Sequence, residues 1–305
     1  MLPILLELPE KFLDEEVRCN YVITCEKKKI WAVELDLLNE FINVCRKYQL
    51  KFFAAGGTML GAVRHKGIIP WDDDIDIMMF RDEYDKLCDI APHAFSSPYF
   101  FQTEETDPGS YRGHAQLRNS DTTAILKKEL HQKRGINQGV FIDIFPLDNL
   151  PDNPDESRFY RNKLNKLRNQ YMTYLRYSYP YKIFFRKNLY LLVTDYLRYH
   201  FTSKNRAKEM CASIYEKYVT CLLSLRGKNT QKVMMTPFTT DRWILKRSDL
   251  QDVIDMPFEM LKIPVPVNYD NILKEIYGNW RKFVVGGSVH GEVLFDTNRS
   301  YKEHI

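Results

Sequence analysis

Four carboxylates fall within five consecutive residues, Asp72-Asp73-Asp74-Ile75-Asp76. They follow a glycine-led stretch, Gly56-Gly57-Thr58-Met59-Leu60-Gly61-Ala62-Val63-Arg64-His65-Lys66-Gly67, and the short link Ile69-Pro70-Trp71. In Asp74-Ile75-Asp76-Ile77 the acids alternate with isoleucine, and on a strand that alternation sends both carboxylates to one face. Carboxylates held this close repel one another unless a cation lies between them. An all-oxygen ligand set suits a hard divalent ion, magnesium first and manganese as the alternative. A glycine turn that opens a helix offers free backbone N–H groups to an anion. Metal and phosphate cradle together point to phosphoryl-transfer chemistry on a nucleotide.

Asp72, Asp74 and Asp76 are the first candidates for metal ligands. Asp143 is the next, because it interrupts the apolar run Val140-Phe141-Ile142-Asp143-Ile144-Phe145. A lone carboxylate in such a run is costly to bury without a cation or donor. Beside the 74–77 strand it would complete a three-carboxylate site with Asp74 and Asp76, and it could accept a proton from an attacking hydroxyl. Gly56, Gly57 and Thr58 would admit a phosphate to the backbone, with the Thr58 hydroxyl as a further donor. Arg64, Lys66 and Arg118 are cations able to clamp a diphosphate. His65 and His290 are further candidates for acid, base or donor. Each of these groups also has a purely structural reading: a tight turn, a surface ion pair or a packed histidine.

The elements that must position these groups follow from periodicity. Residues 30–48 carry apolar side chains at helical spacing (Trp31, Leu35, Leu38, Ile42 and Cys45). A strand is expected over 51–55, a short helix over 58–65, a strand over 74–79 and a helix over 82–91. Further strands are expected over 99–103 and 140–145, the latter bounded by Gly139 and Pro146, with a hairpin or strand pair within 115–126. An N-cap at 152–156 opens a long helix that Tyr179-Pro180-Tyr181 interrupts. Helices over 183–199, 206–225 and 269–277 follow, with a strand and turn over 258–267. The pattern is α/β with a mixed sheet, divided into a core over 1–150, a helical insertion over 151–230 and a segment from 231 to 305 that packs back on the core.

Composition narrows the class. The chain has 305 residues, 44% hydrophobic and 28% charged, which fits a globular core. No apolar run approaches the roughly 18 residues a membrane span needs, and the N-terminal residues lack a basic leader and cleavage site. The six cysteines show no metal-ligand spacing, so reduced thiols in the cytoplasm are expected. The net charge of +4 is uneven: residues 158–208 hold 13 Lys and Arg against one acid, a local +12, leaving 4 − 12 = −8 elsewhere. Nine tyrosines are interleaved there, among them Tyr171, Tyr174, Tyr177, Tyr179 and Tyr181. Such a stretch suits an anionic membrane surface or polymer, or is a solvated face whose acids come from elsewhere. It lacks a recognisable nucleic-acid motif.

The combined pattern GGTMLGAVRHKGIIPWDDDIDI, followed by FIDIFPLD, resembles the LicD family of phosphocholine transferases, which includes fukutin-related proteins. Ile263-Pro264-Val265-Pro266, Tyr269-Asp270 and Ile276-Tyr277-Gly278-Asn279-Trp280 are similar to that family's closing motif. The likeness touches about residues 30–150 and 258–290. It implies a nucleotidyltransferase-like fold and transfer of a phosphorylated alcohol from a CDP-activated donor, most often CDP-choline, to a sugar hydroxyl of a surface glycan. The family's acids fall on Asp72, Asp74, Asp76 and Asp143, its glycine motif on Gly56, Gly57 and Thr58, and its arginine on Arg64. The family's proline-rich closing segment is replaced by Val284-Val285-Gly286-Gly287-Ser288, which leaves the donor or acceptor pocket and His290 unassigned. Expected partners are therefore CDP-choline or another CDP-alcohol, a glycan or lipid-linked glycan acceptor, and an anionic membrane at the inner face of the cell. The rival readings are a nucleotidyltransferase that releases pyrophosphate and a non-catalytic glycan- or nucleic-acid-binding protein.

Overall fold

A computed structural model describes residues 2–127, 129–132, 134–179, 189–286 and 293–304. Its strands are β1 (Glu16–Arg18), β2 (Tyr21–Ile23), β3 (Phe53–Ala54), β4 (Asp76–Phe80), β5 (Tyr99–Gln102), β6 (Ala115–Asn119), β7 (Thr123–Leu126), β8 (Val140–Leu150), β9 (Lys232–Met235), β10 (Ile244–Lys246), β11 (Val253–Phe258), β12 (Leu261–Pro266) and β13 (Val293–Asp296). The helices are α1 (Cys25–Lys47), α2 (Gly56–His65), α3 (Arg81–Ala94), α4 (Pro154–Tyr177), α5 (Leu189–Phe201), α6 (Lys204–Leu223) and α7 (Tyr269–Tyr277). The architecture is a mixed α/β sheet with helices packed against it.

β8 is the spine. Its eleven residues have β4 parallel along one edge. The other edge pairs antiparallel first with β6 and then with β9. β3 extends the sheet beyond β4, β5 beyond β6, and β10 beyond β9. The alternation of β8 explains its burial. Ile142 and Ile144 enter the main core with Ile77 and Met79 of β4, Leu117 of β6 and Trp31, Leu35 and Leu38 of α1. Phe141, Asp143 and Phe145 point to the opposite face.

Several boundaries differ from those the sequence suggests. α1 begins at Cys25 because Thr24 caps it, accepting from Lys27 N at 3.3 Å. β4 begins at Asp76, so residues 72–75 form a loop and strand alternation does not orient Asp74. β8 runs through Pro146 instead of stopping there. The carbonyl of Pro146 still accepts from Thr236 N at 2.9 Å, so the missing N–H does not end the pairing. β6 and β7 do not pair with each other: β6 lies between β5 and β8, while β7 pairs with β13 near the C-terminus. Residues 258–267 belong to a longer hairpin, β11–β12. The interruption expected at Pro180 and Tyr181, and the start of the helix expected at 183, lie outside the described residues.

α4 and α6 pack together around a second core of Leu164, Tyr171, Cys211, Ile214 and Tyr218, joined to the sheet through Leu150 and Met234. Tyr171 and Tyr177, which the sequence places in a surface stripe, are buried. The Asn153 side chain caps α4 by accepting from Asp155 N and Glu156 N at 3.0 and 3.1 Å.

One buried ion pair bolts α3 to the spine. Arg81 Nε and Nη2 each donate to Asp148 at 2.7 Å, and the Thr236 hydroxyl donates to Oδ2 of the same carboxylate. Asp148→Ala would leave the half-buried guanidinium with only the longer contact to Asp85, 3.6 Å. It is expected to cost about 3–5 kcal/mol, read as a lower urea midpoint. A change below about 1 kcal/mol would show that the pair behaves as a surface ion pair.

Candidate functional site

The acids gather where β4 and β8 leave the core. Asp76 and Asp143 are direct partners across the parallel β4–β8 pair, and Gln116 is the partner of Asp143 on β6. These three therefore share one face. Asp72, Asp73 and Asp74 reach the same place from the preceding loop, and carboxylate oxygens of these three lie within 4.8 Å of one another. Among the described residues theirs is the one acidic or thiol/imidazole group that converges this tightly. Asp76 and Asp143 face each other beside it rather than joining Asp74 in a closed triad.

Local bonds hold this geometry. Trp31 Nε1 donates to Asp72 O at 3.2 Å, and Asp72 N donates to Ile69 O at 2.8 Å. Asp76 N donates to Thr58 Oγ1 at 2.8 Å, and Asp143 N donates to Ile75 O at 2.9 Å. Thr58 thus ties the acid strand to α2. The diglycine is needed for close approach. A Cβ on Gly57 would lie 2.6 Å from Asp72 Oδ2, and one on Gly56 would lie 3.4 Å from Asp76 Oδ2. Gly56 also takes φ +46, the left-handed region that glycine enters at little cost. No side chain caps the start of α2, which leaves its first-turn N–H groups open to an anion.

The electrostatics are strained in the way such a cluster must be. Loss of solvent, then repulsion from Asp76 and Asp72, holds the Asp74 carboxyl well above the ordinary range. Asp76 is raised likewise, by desolvation and then by Asp143 and Asp72. Asp143 moves the other way. Burial alone would raise it, but His114, Gln116 and Arg112 outweigh burial and keep it ionised. His114 Nε2 lies 2.9 Å from Asp143 Oδ1, and Gln116 Nε2 donates to the same oxygen at 2.6 Å. Sequence reasoning missed this pair. The signal was present, since His114, Gln116 and Arg118 alternate with Ala115 and Leu117 just before the Asp143 strand. It also missed Glu34, a buried acid of α1 that desolvation, Asp73 and Asp72 push well above the usual value.

The cations are placed differently from one another. Arg64 Nη1 donates to Trp280 O at 2.9 Å, and its guanidinium lies 4.6 Å from the Phe283 ring. Arg64 therefore joins α2 to the C-terminal segment. Lys66 is exposed and ends α2 in a left-handed cap, φ 58. Arg118 is buried behind Gln116. It donates to Gln102 Oε1 at 2.7 Å and Gly139 O at 2.6 Å, and also to Gln116 Oε1. His65 Nε2 accepts from Arg64 Nε at 2.9 Å; burial and the charges of Arg64 and Arg18 lower its pKa to about 4. His290 lies outside the described residues.

Two aromatic residues from the C-terminal half reach the glycine bend. A Cβ on Gly56 would be 3.4 Å from Trp243 and 3.6 Å from the Tyr277 hydroxyl. Trp243 stacks on Phe238, with centroids 5.2 Å apart, and Phe238 meets Phe145, which meets His114. Tyr277 belongs to the closing motif of the family resemblance, whereas no sequence pattern linked Trp243 or Phe238 to the acids. Asp143 and Asp73 both line a cavity of about 190 Å³. A larger groove of about 500 Å³ between α4, β10 and α7 contains none of the Asp72–Asp76 acids nor Asp143.

Clustered carboxylates at the opening of a helix, on a mixed sheet, define a site suited to cation-assisted phosphoryl chemistry. A family model described as "LicD/FKTN/FKRP, nucleotidyltransferase domain" matches residues 49–186. It is 36% identical over 121 residues to the lipopolysaccharide cholinephosphotransferase LicD of Haemophilus influenzae, covering 39% of this chain and 43% of that protein. It is 39% identical over 80 residues to an uncharacterised protein of Rickettsia prowazekii, covering 26% and 28%. A further uncharacterised protein, from Rickettsia typhi, is 44% identical over 59 residues, covering 19% and 18%. The chain thus spans less than half the length of each of these relatives.

If the diglycine serves close approach of the acids, Gly57→Ala must push Asp72 aside. Magnesium affinity, measured by titration calorimetry, is expected to fall about tenfold or more. Gly135→Ala is the control, since a Cβ there meets nothing within 4 Å. Equal affinities in both variants would refute the close-approach role.

Proposed function

We propose that this protein transfers phosphocholine, or a related phospho-alcohol such as phosphoethanolamine, from a CDP-activated donor to a sugar hydroxyl of a cell-surface glycan, releasing CMP. One observation carries the reading. Asp76 and Asp143 stand opposite each other on adjacent parallel strands, with the Asp72–Asp74 oxygens gathered beside them at the uncapped start of α2. The likeness to a lipopolysaccharide cholinephosphotransferase supports the choice of donor group and acceptor class.

The donor set fits a hard divalent cation: every candidate ligand is a carboxylate oxygen, and their mutual repulsion favours a positive charge among them. Asp72, Asp73, Asp74 and Asp76 would hold it. A bound magnesium would supply charge neutralisation on the diphosphate and on the departing CMP oxygen. The remaining steps belong to the chain's own groups. The acceptor hydroxyl oxygen attacks the phosphorus that bears the alcohol, and the bond from that phosphorus to the CMP oxygen breaks. Asp143, steadied by His114 and Gln116, orients the hydroxyl and takes its proton. The free N–H groups of Gly57 and Thr58 face the diphosphate. Trp243 and Tyr277, beside the acids, offer the π-faces and negative surroundings that a quaternary ammonium prefers.

CMP release with magnesium against a panel of CDP-alcohols tests the reading. CDP-choline is expected to be turned over, with Asp143→Asn slowing it by about 10²–10⁴-fold and Trp243→Ala raising KM for CDP-choline more than for CDP-glycerol. Pyrophosphate release from a nucleoside triphosphate, or turnover that survives Asp143→Asn and Asp76→Asn, would overturn it.

Among the described residues no helix is long and apolar enough to cross a membrane. α5 exposes Val193, Tyr196, Leu197 and Phe201 on one helical stripe, and exposed Lys204, Arg206 and Lys208 follow it. An apolar stripe beside basic residues suits shallow contact with an anionic bilayer, where lipid-linked glycans reside. Cosedimentation with vesicles containing phosphatidylserine is expected to fall in Leu197→Ser/Phe201→Ser and to vanish with neutral vesicles. Unchanged binding would remove the membrane contact.

A further inference from the structure

We infer that the cavity beside Asp143 is the acceptor subsite, built for a sugar that carries an anionic substituent. The inference rests on Asp143 facing the attacked hydroxyl. The molecule bearing that hydroxyl must then occupy the space Asp143 lines, and that space is the cavity of about 190 Å³. Its lining includes Asp73 and Phe238 but, among the described residues, not Gly56, Gly57, Thr58, Trp243 or Tyr277, so it adjoins the acid cluster without including the helix opening assigned to the donor.

Its walls are unfinished in a specific way. Glu34 Oε2, His114 Nδ1, Gln138 Nε2 and Arg168 Nε are buried on this cavity and have no hydrogen-bond partner. Glu34 and Gln138 are only 2% and 3% exposed. Folded chains rarely leave such atoms unsatisfied unless something else meets them. Gln138 Nε2 and Arg168 Nε are donors, Glu34 Oε2 is a carboxyl oxygen, and His114 Nδ1 donates or accepts according to the ring's tautomer, a set that suits a molecule with both acceptors and hydroxyls. Arg112 and Arg168 also line the cavity, and neither forms an ion pair with a carboxylate among the described residues. A planar guanidinium matches a phosphate or carboxylate in two-point contact. Phe141, Phe145, Phe238 and Phe295 supply the apolar remainder that a sugar ring can lie against. Gln138 and Arg168 would then hold the anion, with Glu34 accepting from a sugar hydroxyl.

Calorimetric titration and thermal shift of the full chain test this with a panel of hexose 1- and 6-phosphates, the free hexoses, hexuronates and CMP. Hexose phosphates are expected to bind at least tenfold more tightly than free hexoses; hexuronates binding equally well would assign a carboxylate as the anion. Arg168→Gln and Gln138→Leu should each weaken hexose-phosphate binding at least tenfold and leave CMP binding unchanged. Gln138→Leu, which removes an unsatisfied buried donor, should keep or raise the melting temperature of the ligand-free protein, a split that a purely structural role would not produce. Hexose phosphates that bind neither better than hexoses nor differently in the variants would overturn the assignment. So would variants that lose CMP instead, which would give the cavity to the donor's nucleoside while leaving the transfer reading intact. Hexose-phosphate binding by a protein that releases no CMP would retain the subsite and remove the transfer reading.

Discussion

Carboxylates repel, and this fold gathers five of them in one region: Asp72, Asp73 and Asp74 converge from one loop, with Asp76 and Asp143 paired on adjacent strands beside them. The surrounding structure is arranged to withstand that repulsion. The indole of Trp31 grips the loop, Thr58 receives the N–H of Asp76, and Ile75 offers its carbonyl to Asp143. The glycines of α2 remove the atoms that would keep the acids away. Asp74 and Asp76 respond by holding protons more tightly, while Asp143, met by His114 and Gln116, stays ionised. Neighbouring acids are thus shifted in opposite directions because their surroundings differ, the usual way a protein separates roles among identical groups.

β8 gives the site its rigidity. A strand paired on both edges and packed below against α1 cannot shift by one residue without turning Asp143 into the core. The same strand carries Asp148, which anchors α3, and ends in the second core beneath α4 and α6. The family match ends at residue 186, yet Phe238, Trp243 and Tyr277 come from later in the chain. The matched part therefore brings the acids and the helix opening, and the following part supplies the aromatic wall.

Elements with strong local periodicity are legible in the sequence. α1, α3 and α7 announce themselves through apolar spacing, and α7 ends at Gly278, where a glycine is a natural stop. Pairing between distant strands is not legible. β6 and β7 look like a hairpin in sequence, but β6 is taken by β5 and β8 and β7 by β13, because partners are chosen by which edges remain free after collapse. The stripe of tyrosines misleads in part for a related reason. Tyr171 and Tyr177 are buried within the protein, and helical spacing alone does not say whether a side chain's neighbour is protein, lipid or water.

The site divides along the same line. By itself the sequence determined which groups carry charge and where the chain can bend closely: the run at 72–76, the isolated Asp143 and the diglycine, all properties of residue type and short-range spacing. Only the tertiary structure decided that Asp143 lies opposite Asp76, that His114 and Gln116 hold it, that Glu34 faces a cavity, and that Trp243 and Tyr277 reach Gly56. Those contacts join segments far apart along the chain, and their free energy exists only once the sheet has brought the segments into contact.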